Sequence, residues 1–291
     1  MKQLTQKLGT GQMEIYELPF PKLGKGMVLV KNHYSIISAG TEGSTVKAAR
    51  KNLLGKAMDR PKQAIQVIDT LKRQGPLKTY RAVMKKLDSY SPLGYSCSGE
   101  VIGVGEGVVD FAVGDLVACA GAGYANHAEI VSVPVNLCVK LDDNVNMMDA
   151  AYNTLGAISM QGVRQADMRI GESCAIIGMG LLGQLAALIL KASGVKVIGI
   201  DLNNEVVDFC NKHSICFNTF LTTQTSLENK IYEITNGIGV DAVIIAAATK
   251  SNDPINLAGA ISRKKGKVVV MGDVPTGFDR NPHWYIKELE L

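Results

Sequence analysis

The stretch CAIIGMGLLG, residues 174–183, constrains the fold more than any other. A short apolar run leads into Gly178, Gly180 and Gly183 at G-x-G-x-x-G spacing, and an amphipathic helical pattern runs from Leu181 to Ala192. The next apolar run, KVIGI, ends in an acid, Asp201, 18 residues after Gly183. Between a strand and a helix, these glycines have separate jobs. Gly178 makes the tight turn, Gly180 lets a pyrophosphate approach the backbone, and Gly183 lets the helix pack closely on the strand. The helix N-terminus, at Leu181 and Leu182, then offers N–H groups and a dipole to the phosphates. Asp201 would accept hydrogen bonds from the adenosine ribose. Leu202, Asn203 and Asn204 follow it, so no cation is at hand for a 2′-phosphate, and NAD(H) is expected over NADP(H).

From about residue 150 onward, short apolar runs alternate with helical patterns. CAIIG, KVIGI, DAVIIAA and GKVVVMG read as strands, separated by helices at 181–192, 204–213, 226–236 and 253–263. Apolar strands that alternate with helices predict a parallel sheet buried on both faces and doubly wound. Ala247 and Gly272 fall at strand ends, where small residues leave room for a ribose and nicotinamide.

The first 150 residues differ. Strand-like runs at 13–17, 27–34, 97–104, 115–119, 125–133 and 137–140 are separated by turn residues, which predicts a small antiparallel barrel or sandwich. Residues 44–90 interrupt it with helical patterning, an insertion of about three helices. The expected fold is therefore α/β, with a β domain over 1–150 carrying a helical insert and a dinucleotide-binding domain over 151–291.

Composition excludes little. Charged residues are 20% and hydrophobic residues 46% of 291, the balance of a globular protein. The longest uncharged run, Ala175 to Leu190, is shorter than a membrane span needs. The N-terminus lacks a continuous apolar leader, and the six cysteines form no CxxC pair, so reduced, mostly buried thiols in a cytoplasmic protein are expected. Charge is uneven: residues 47–86 hold twelve Lys or Arg against Asp59 and Asp69, a net +10 within a chain of net +4. Two readings stay open, solvated faces of amphipathic helices or a basic cap that draws in an anionic small-molecule substrate. No aromatic stacking surface is interleaved with the basic residues, so no nucleic-acid partner is expected.

The β domain followed by AAYNTLGAISMQGVRQADMRIGESCAIIGMGLLG resembles the medium-chain dehydrogenase/reductase superfamily over most of the chain. That resemblance implies a GroES-like catalytic domain, a Rossmann domain, and hydride transfer in the cleft between them. LVKNHYSIISAGTE is similar to the segment with the catalytic-zinc cysteine in zinc-dependent members, and LGYSCSGEV to their Gly-His-Glu segment. Ala39 stands at the cysteine position, Tyr95 and Ser96 at the His-Glu positions, and Asn153 or Thr154 near the remaining ligand. This is no zinc set, and no metal is expected. SAGTE, the basic insert, PLGYSCSGEV and NTLGAISMQGVR resemble the N-terminal module of bi-domain oxidoreductases. The resemblance implies a further Rossmann strand after NPHWYIKELEL, so the chain is expected to be truncated at its C-terminus, and a homo-oligomer or a further C-terminal domain in the full-length protein is expected.

Without a metal, a side chain must polarise the carbonyl or take the alcohol proton. The candidates are Tyr95 as proton donor, Thr41 and Asn153 as hydrogen-bond partners of the reacting oxygen, and Glu42 as a base or a helix cap. Thr154 is expected beside the cofactor. His127 is expected to be structural. The activity expected is a zinc-independent, NAD(H)-linked oxidoreductase of an alcohol or carbonyl, such as that of a sugar or nucleotide sugar. The alternatives are an enoyl or quinone reductase, and a non-catalytic NAD-binding module.

Overall fold

The structure, a computed structural model, describes residues 1–52, 55, 58 and 61–291. The chain divides into two compact units, Met1–Thr154 and Leu155–Leu291.

The first unit begins with strands β1 (Lys2–Lys7), β2 (Met13–Glu17) and β3 (Met27–Ser35). Helices α1 (Ala39–Arg50), α2 (Pro61–Gln74) and α3 (Pro76–Asp88) follow. Strands β4 (Tyr90–Pro92), β5 (Ser96–Val104), β6 (Leu116–Ala120), β7 (Ile130–Pro134) and β8 (Cys138–Lys140) complete its sheets. One sheet is antiparallel in the order β7-β3-β5-β6-β8, and a smaller one has the order β2-β1-β4. Alternate residues of the larger sheet, including Val28, Val30, Cys97, Val101, Val117, Cys119 and Val131, close a dry core.

Two features depart from the sequence reading. Residues 125–129 are not strand, because their backbone groups bond elsewhere. The His127 N–H donates to Leu93 O, its carbonyl accepts from Leu4, and the Glu129 N–H donates to Lys2 O. Helix α1 starts at Ala39 rather than at residue 44, so AGTE of the SAGTE segment is its first turn. Over its described residues the insert is largely helical as expected, but the apolar side chains Ile65, Ile68 and Leu71 are 58%, 50% and 43% exposed. Leu53, Lys56, Asp59 and Arg60, all part of the expected insert, lie outside the described residues.

Helix α4 (Met147–Ala150) ends the first unit and α5 (Asn153–Ala166) spans the boundary; the second unit continues with β9 (Ser173–Ile177), α6 (Leu181–Ala192), β10 (Lys196–Asp201) and α7 (Asn204–Lys212). Next come β11 (Asn218–Leu221), α8 (Leu227–Ile234), β12 (Val240–Ile245), α9 (Asp253–Ile261) and β13 (Ser262–Val270). The strands form one parallel sheet in the order β11-β10-β9-β12-β13. This is the doubly wound Rossmann order, and β9 lies at the switch point. The unbroken apolar runs have a direct cause. Cys174 and Ile176 pack into the core on one face, and Ala175 and Ile177 into the core on the other. Burying an isoleucine such as Ile176 or Ile244 contributes about 1.5–3 kcal/mol.

All six cysteines are free and buried. Cys97, Cys119 and Cys138 face one another across β5, β6 and β8, with 3.7 Å between the Cys119 and Cys138 sulfurs. Burial pushes the Cys174, Cys210 and Cys216 thiols up, Cys216 to about 11. Thiolate is the reactive form. The native chain is therefore expected to resist iodoacetamide at pH 8 and to take up label on all six thiols in guanidinium, as intact-mass spectrometry would read.

The base of the parallel sheet is tied by Asp241. One carboxylate oxygen accepts from the Ser173 N–H (2.8 Å) and hydroxyl (3.0 Å), and the other from Arg263 Nε at 2.6 Å. Burial pushes this carboxyl up, but the Ser173 and Arg263 hydrogen bonds outweigh it and hold it below the usual carboxylate range. A depressed folded value means the stabilisation is complete above the unfolded value, about 3.9. It is lost as pH falls through the folded value. Acid denaturation should therefore steepen below about pH 4, and Asp241→Asn should flatten that limb of a pH–stability curve.

Candidate functional site

The turn between β9 and α6 is built as its glycines require. Gly178 has φ +96°, and a Cβ there would sit 2.7 Å from the Ala247 nitrogen. At Gly183 a Cβ would meet the Gly178 carbonyl oxygen at 2.0 Å, so helix and turn touch through bare backbone. Gly180, the N-cap of α6, has open space around its Cβ position and no side chain capping the helix. Leu181 is exposed, Leu182 half-buried, and Met179 wholly buried beneath the turn. The first turn of α6 thus presents uncapped N–H groups, which with the helix dipole suit an anion.

Asp201 stands at the end of β10 beside this turn. Its carboxylate accepts from the Met179 N–H at 2.7 Å and the Asn203 N–H at 2.8 Å. Each oxygen spends one hydrogen bond on fixing the loops and keeps a lone pair for a hydroxyl. Ala247 and Gly272, at the ends of β12 and β13, are half-buried. A Cβ on Gly272 would lie 2.0 Å from the Ala247 carbonyl oxygen, so that glycine is required by the chain crossing there whether or not it lines a ligand site. These residues fit a dinucleotide: an open cradle at Gly180, uncapped donors behind it and an acid on the ribose side.

In the first unit, the positions corresponding to metal ligands carry a different network. Ser96 is wholly buried, and its hydroxyl donates to Ala151 O at 2.6 Å. Asn153 Nδ2 lies within 3.1–3.3 Å of Ser96 Oγ and the carbonyls of Cys97, Cys119 and Ala150. Both its protons are consumed there. This corrects the expectation that Asn153 donates to a reacting oxygen: within the first unit it ties residues 150–153 to β5 and β6. The Thr154 hydroxyl is similarly spent, donating to Tyr95 O at 3.1 Å. Ala39 supplies no donor atom, and among the described residues no three His, Cys, Asp or Glu side chains converge as a metal site. A zinc ion does not fit this donor set.

Glu42 is not a free base either. One oxygen accepts from the Ser38 N–H at 2.8 Å, and the other pairs with His127 Nε2 at 2.9 Å. His127 Nδ1 lies 2.8 Å from Ser35 Oγ. The two side chains are 9% (His127) and 10% (Glu42) exposed. No sequence signal links residues 85 apart on a helix and an irregular segment, and sequence reasoning missed this pair. Thr41 is exposed, Tyr95 is half-buried, and neither hydroxyl has a recorded bond to the described residues.

Comparison with known proteins agrees with this architecture. The zinc-binding dehydrogenase family profile matches residues 182–290. D-guloside 3-dehydrogenase of Escherichia coli is 30% identical over 156 residues, covering 52% of this chain and 43% of that protein. D-xylulose reductase A of Aspergillus niger is 26% identical over 189 residues, 54% of this chain and 53% of that one. The chain spans about half the length of the curated relatives it matches. The crystal structure of E. coli quinone oxidoreductase complexed with NADPH superposes with a TM-score of 0.72 at 18% identity, covering 100% of this chain and 79% of that one. The nucleotide-binding half is therefore similar to zinc-binding dehydrogenases, and the whole chain shares the fold of the medium-chain dehydrogenases/reductases, with a GroES-like and a Rossmann unit. The family profile begins at Leu182, so its name describes the nucleotide half and says nothing of zinc ligands in residues 1–154. Among the described residues, no helix is long and apolar enough to cross a membrane.

Proposed function

We propose that the chain is a zinc-independent oxidoreductase that uses NAD(H) to interconvert an alcohol and a carbonyl on a sugar-like substrate. The observation that carries this reading is the Gly178 turn, open at Gly180, with Asp201 beside it and no cation in the segment that follows. Gly180 and the N–H groups of Leu181 and Leu182 would hold the pyrophosphate, and Asp201 the adenosine ribose. The nicotinamide supplies the hydride acceptor or donor. Tyr95 and Thr41 carry hydroxyls free to hydrogen-bond the reacting oxygen and hold the substrate in place. The sugar assignment draws on relatives named for a D-guloside and for D-xylulose. Cationic residues of the insert, such as Lys72, Arg73, Lys85 and Lys86, favour an anionic version of that substrate.

The likeness to a quinone oxidoreductase bound to NADPH supports a second reading, a reductase of quinones or enones. Turnover separates the two. NADH-dependent reduction of D-xylulose or a 3-keto-glycoside, lowered at least tenfold by Tyr95→Phe with NADH affinity unchanged, is the expected result. Reduction of a quinone with NADPH, and of neither sugar, would favour the second reading.

A further inference from the structure

We infer that Ser35, His127 and Glu42 form a buried proton relay, with His127 the base that acts through the Ser35 hydroxyl. The relay rests on the oxidoreductase reading above and supplies the proton-handling that a metal-bound oxygen cannot supply here.

The Glu42 carboxylate accepts from the Ser38 N–H through one oxygen and offers the other as an acceptor, so the His127 Nε2 facing it at 2.9 Å carries the proton. In the neutral imidazole, Nδ1 is then an acceptor, and the Ser35 hydroxyl 2.8 Å away donates to it. An acid that fixes the tautomer, an imidazole with one basic nitrogen and a hydroxyl aimed at that nitrogen together make a hydroxyl that can lose its proton.

The backbone that carries the imidazole is fixed on both sides. The His127 main-chain N–H donates to Leu93 O and its carbonyl accepts from the Leu4 N–H, each at 2.8 Å. Asn32 Nδ2 clamps the carbonyls on either side, Asn126 O at 3.1 Å and Ala128 O at 2.7 Å. Gly94, at φ +95°, has no room for a Cβ because the His127 nitrogen would be 2.6 Å away. Burying a carboxylate is costly, and an apolar pair could fill the space without that cost. The outer end of the relay has the right neighbours. Ser35 pairs with Cys97 on β5, the next residue's N–H donates to Ser96 O, and Tyr95 immediately precedes that strand.

In the oxidative direction the step balances. Oxidised nicotinamide, when bound, would take up the substrate hydrogen as hydride with its electron pair. The substrate O–H proton passes to Ser35 Oγ as the Ser35 proton passes to His127 Nδ1. The products are a carbonyl, reduced nicotinamide and an imidazolium facing Glu42. Reduction runs the same transfers backwards. Ser35 is the contact residue, and His127 and Glu42 are positioning residues behind it.

Two measurements on the full chain test this. Nitrogen-15 histidine spectra should show His127 with the proton on Nε2, Ser35→Ala should shift Nδ1 alone, and Glu42→Gln should release the tautomer. A proton on Nδ1 in the wild type would overturn the relay, since His127 would then donate to Ser35. In NADH-linked D-xylulose reduction, Ser35→Ala and His127→Gln should each lower kcat at least tenfold with NADH affinity unchanged, and Ser35→Thr should restore most of the rate. Unchanged kcat in Ser35→Ala, with NADH bound, would also overturn it. Failure of the wild type to bind NADH would count against the oxidoreductase reading itself, and the tautomer result would still decide whether the relay exists.

Discussion

Gly180→Ala and Gly183→Ala, two methyl groups three residues apart, are expected to fail in opposite ways. At Gly183 the new Cβ would lie 2.0 Å from the Gly178 carbonyl oxygen and close to Ile176. Neither backbone can yield without moving α6 off β9. Overpacking of this kind costs about 1–3 kcal/mol, and a clash with main chain belongs at the upper end. Gly183→Ala should lower the thermal midpoint and weaken every function of the second unit. Gly180 has φ −66°, which any residue adopts, and nothing lies within 4 Å of its Cβ position. Gly180→Ala should therefore leave the midpoint unchanged while placing a methyl where the pyrophosphate would approach. We expect NADH affinity to fall at least tenfold, measured by fluorescence titration. Equal loss of stability in both variants would contradict the assigned roles.

The second large effect is expected at Lys287. Its ammonium donates to the carbonyls of Gly259 (2.8 Å), Ala260 (2.6 Å) and Ser262 (2.8 Å) and lies 3.1 Å from the Tyr232 hydroxyl. These carbonyls end α9 and open β13, so one cation satisfies the helix C-terminus and sits at the negative end of its dipole. It also pins the last segment of the described chain, where Trp284 stacks on Phe278 with ring centroids 3.9 Å apart and fills the space a Cβ on Gly259 would take. A hydrogen bond to a charged group is worth about 1.5–3 kcal/mol. Lys287→Met removes several and strands half-buried carbonyls, so a loss of about 3 kcal/mol is expected. That corresponds to a drop on the order of 6–12 °C in the midpoint of this unit. Lys287→Arg should recover part of it.

The two units differed in how much the sequence revealed. The parallel sheet was legible because both faces of its strands are buried, which writes unbroken apolar runs such as AII and VIGI between helices. Its edge strand β11 was not, because Asn218–Leu221 lies at the margin and carries polar residues. In the first unit the pattern at 125–133 looked like one strand, yet residues 125–129 bond to β1 and to Leu93. Such partners are distant in sequence and leave no local period. The same reason hid the Glu42–His127 pair. The sequence reading assigned Asn153 a chemical role because its type allows one. Four oxygen atoms around Nδ2, contributed by residues 96, 97, 119 and 150, give it a structural one.

The central claim is that the Gly178 turn and Asp201 bind NAD(H) in a chain that needs no zinc. The most direct test is calorimetric titration of the purified, metal-analysed protein with NADH and with NADPH. The account predicts micromolar NADH binding, weaker NADPH binding, and no stoichiometric zinc in the protein that binds. Tighter binding of NADPH, or zinc present at one equivalent and required for turnover, would contradict it.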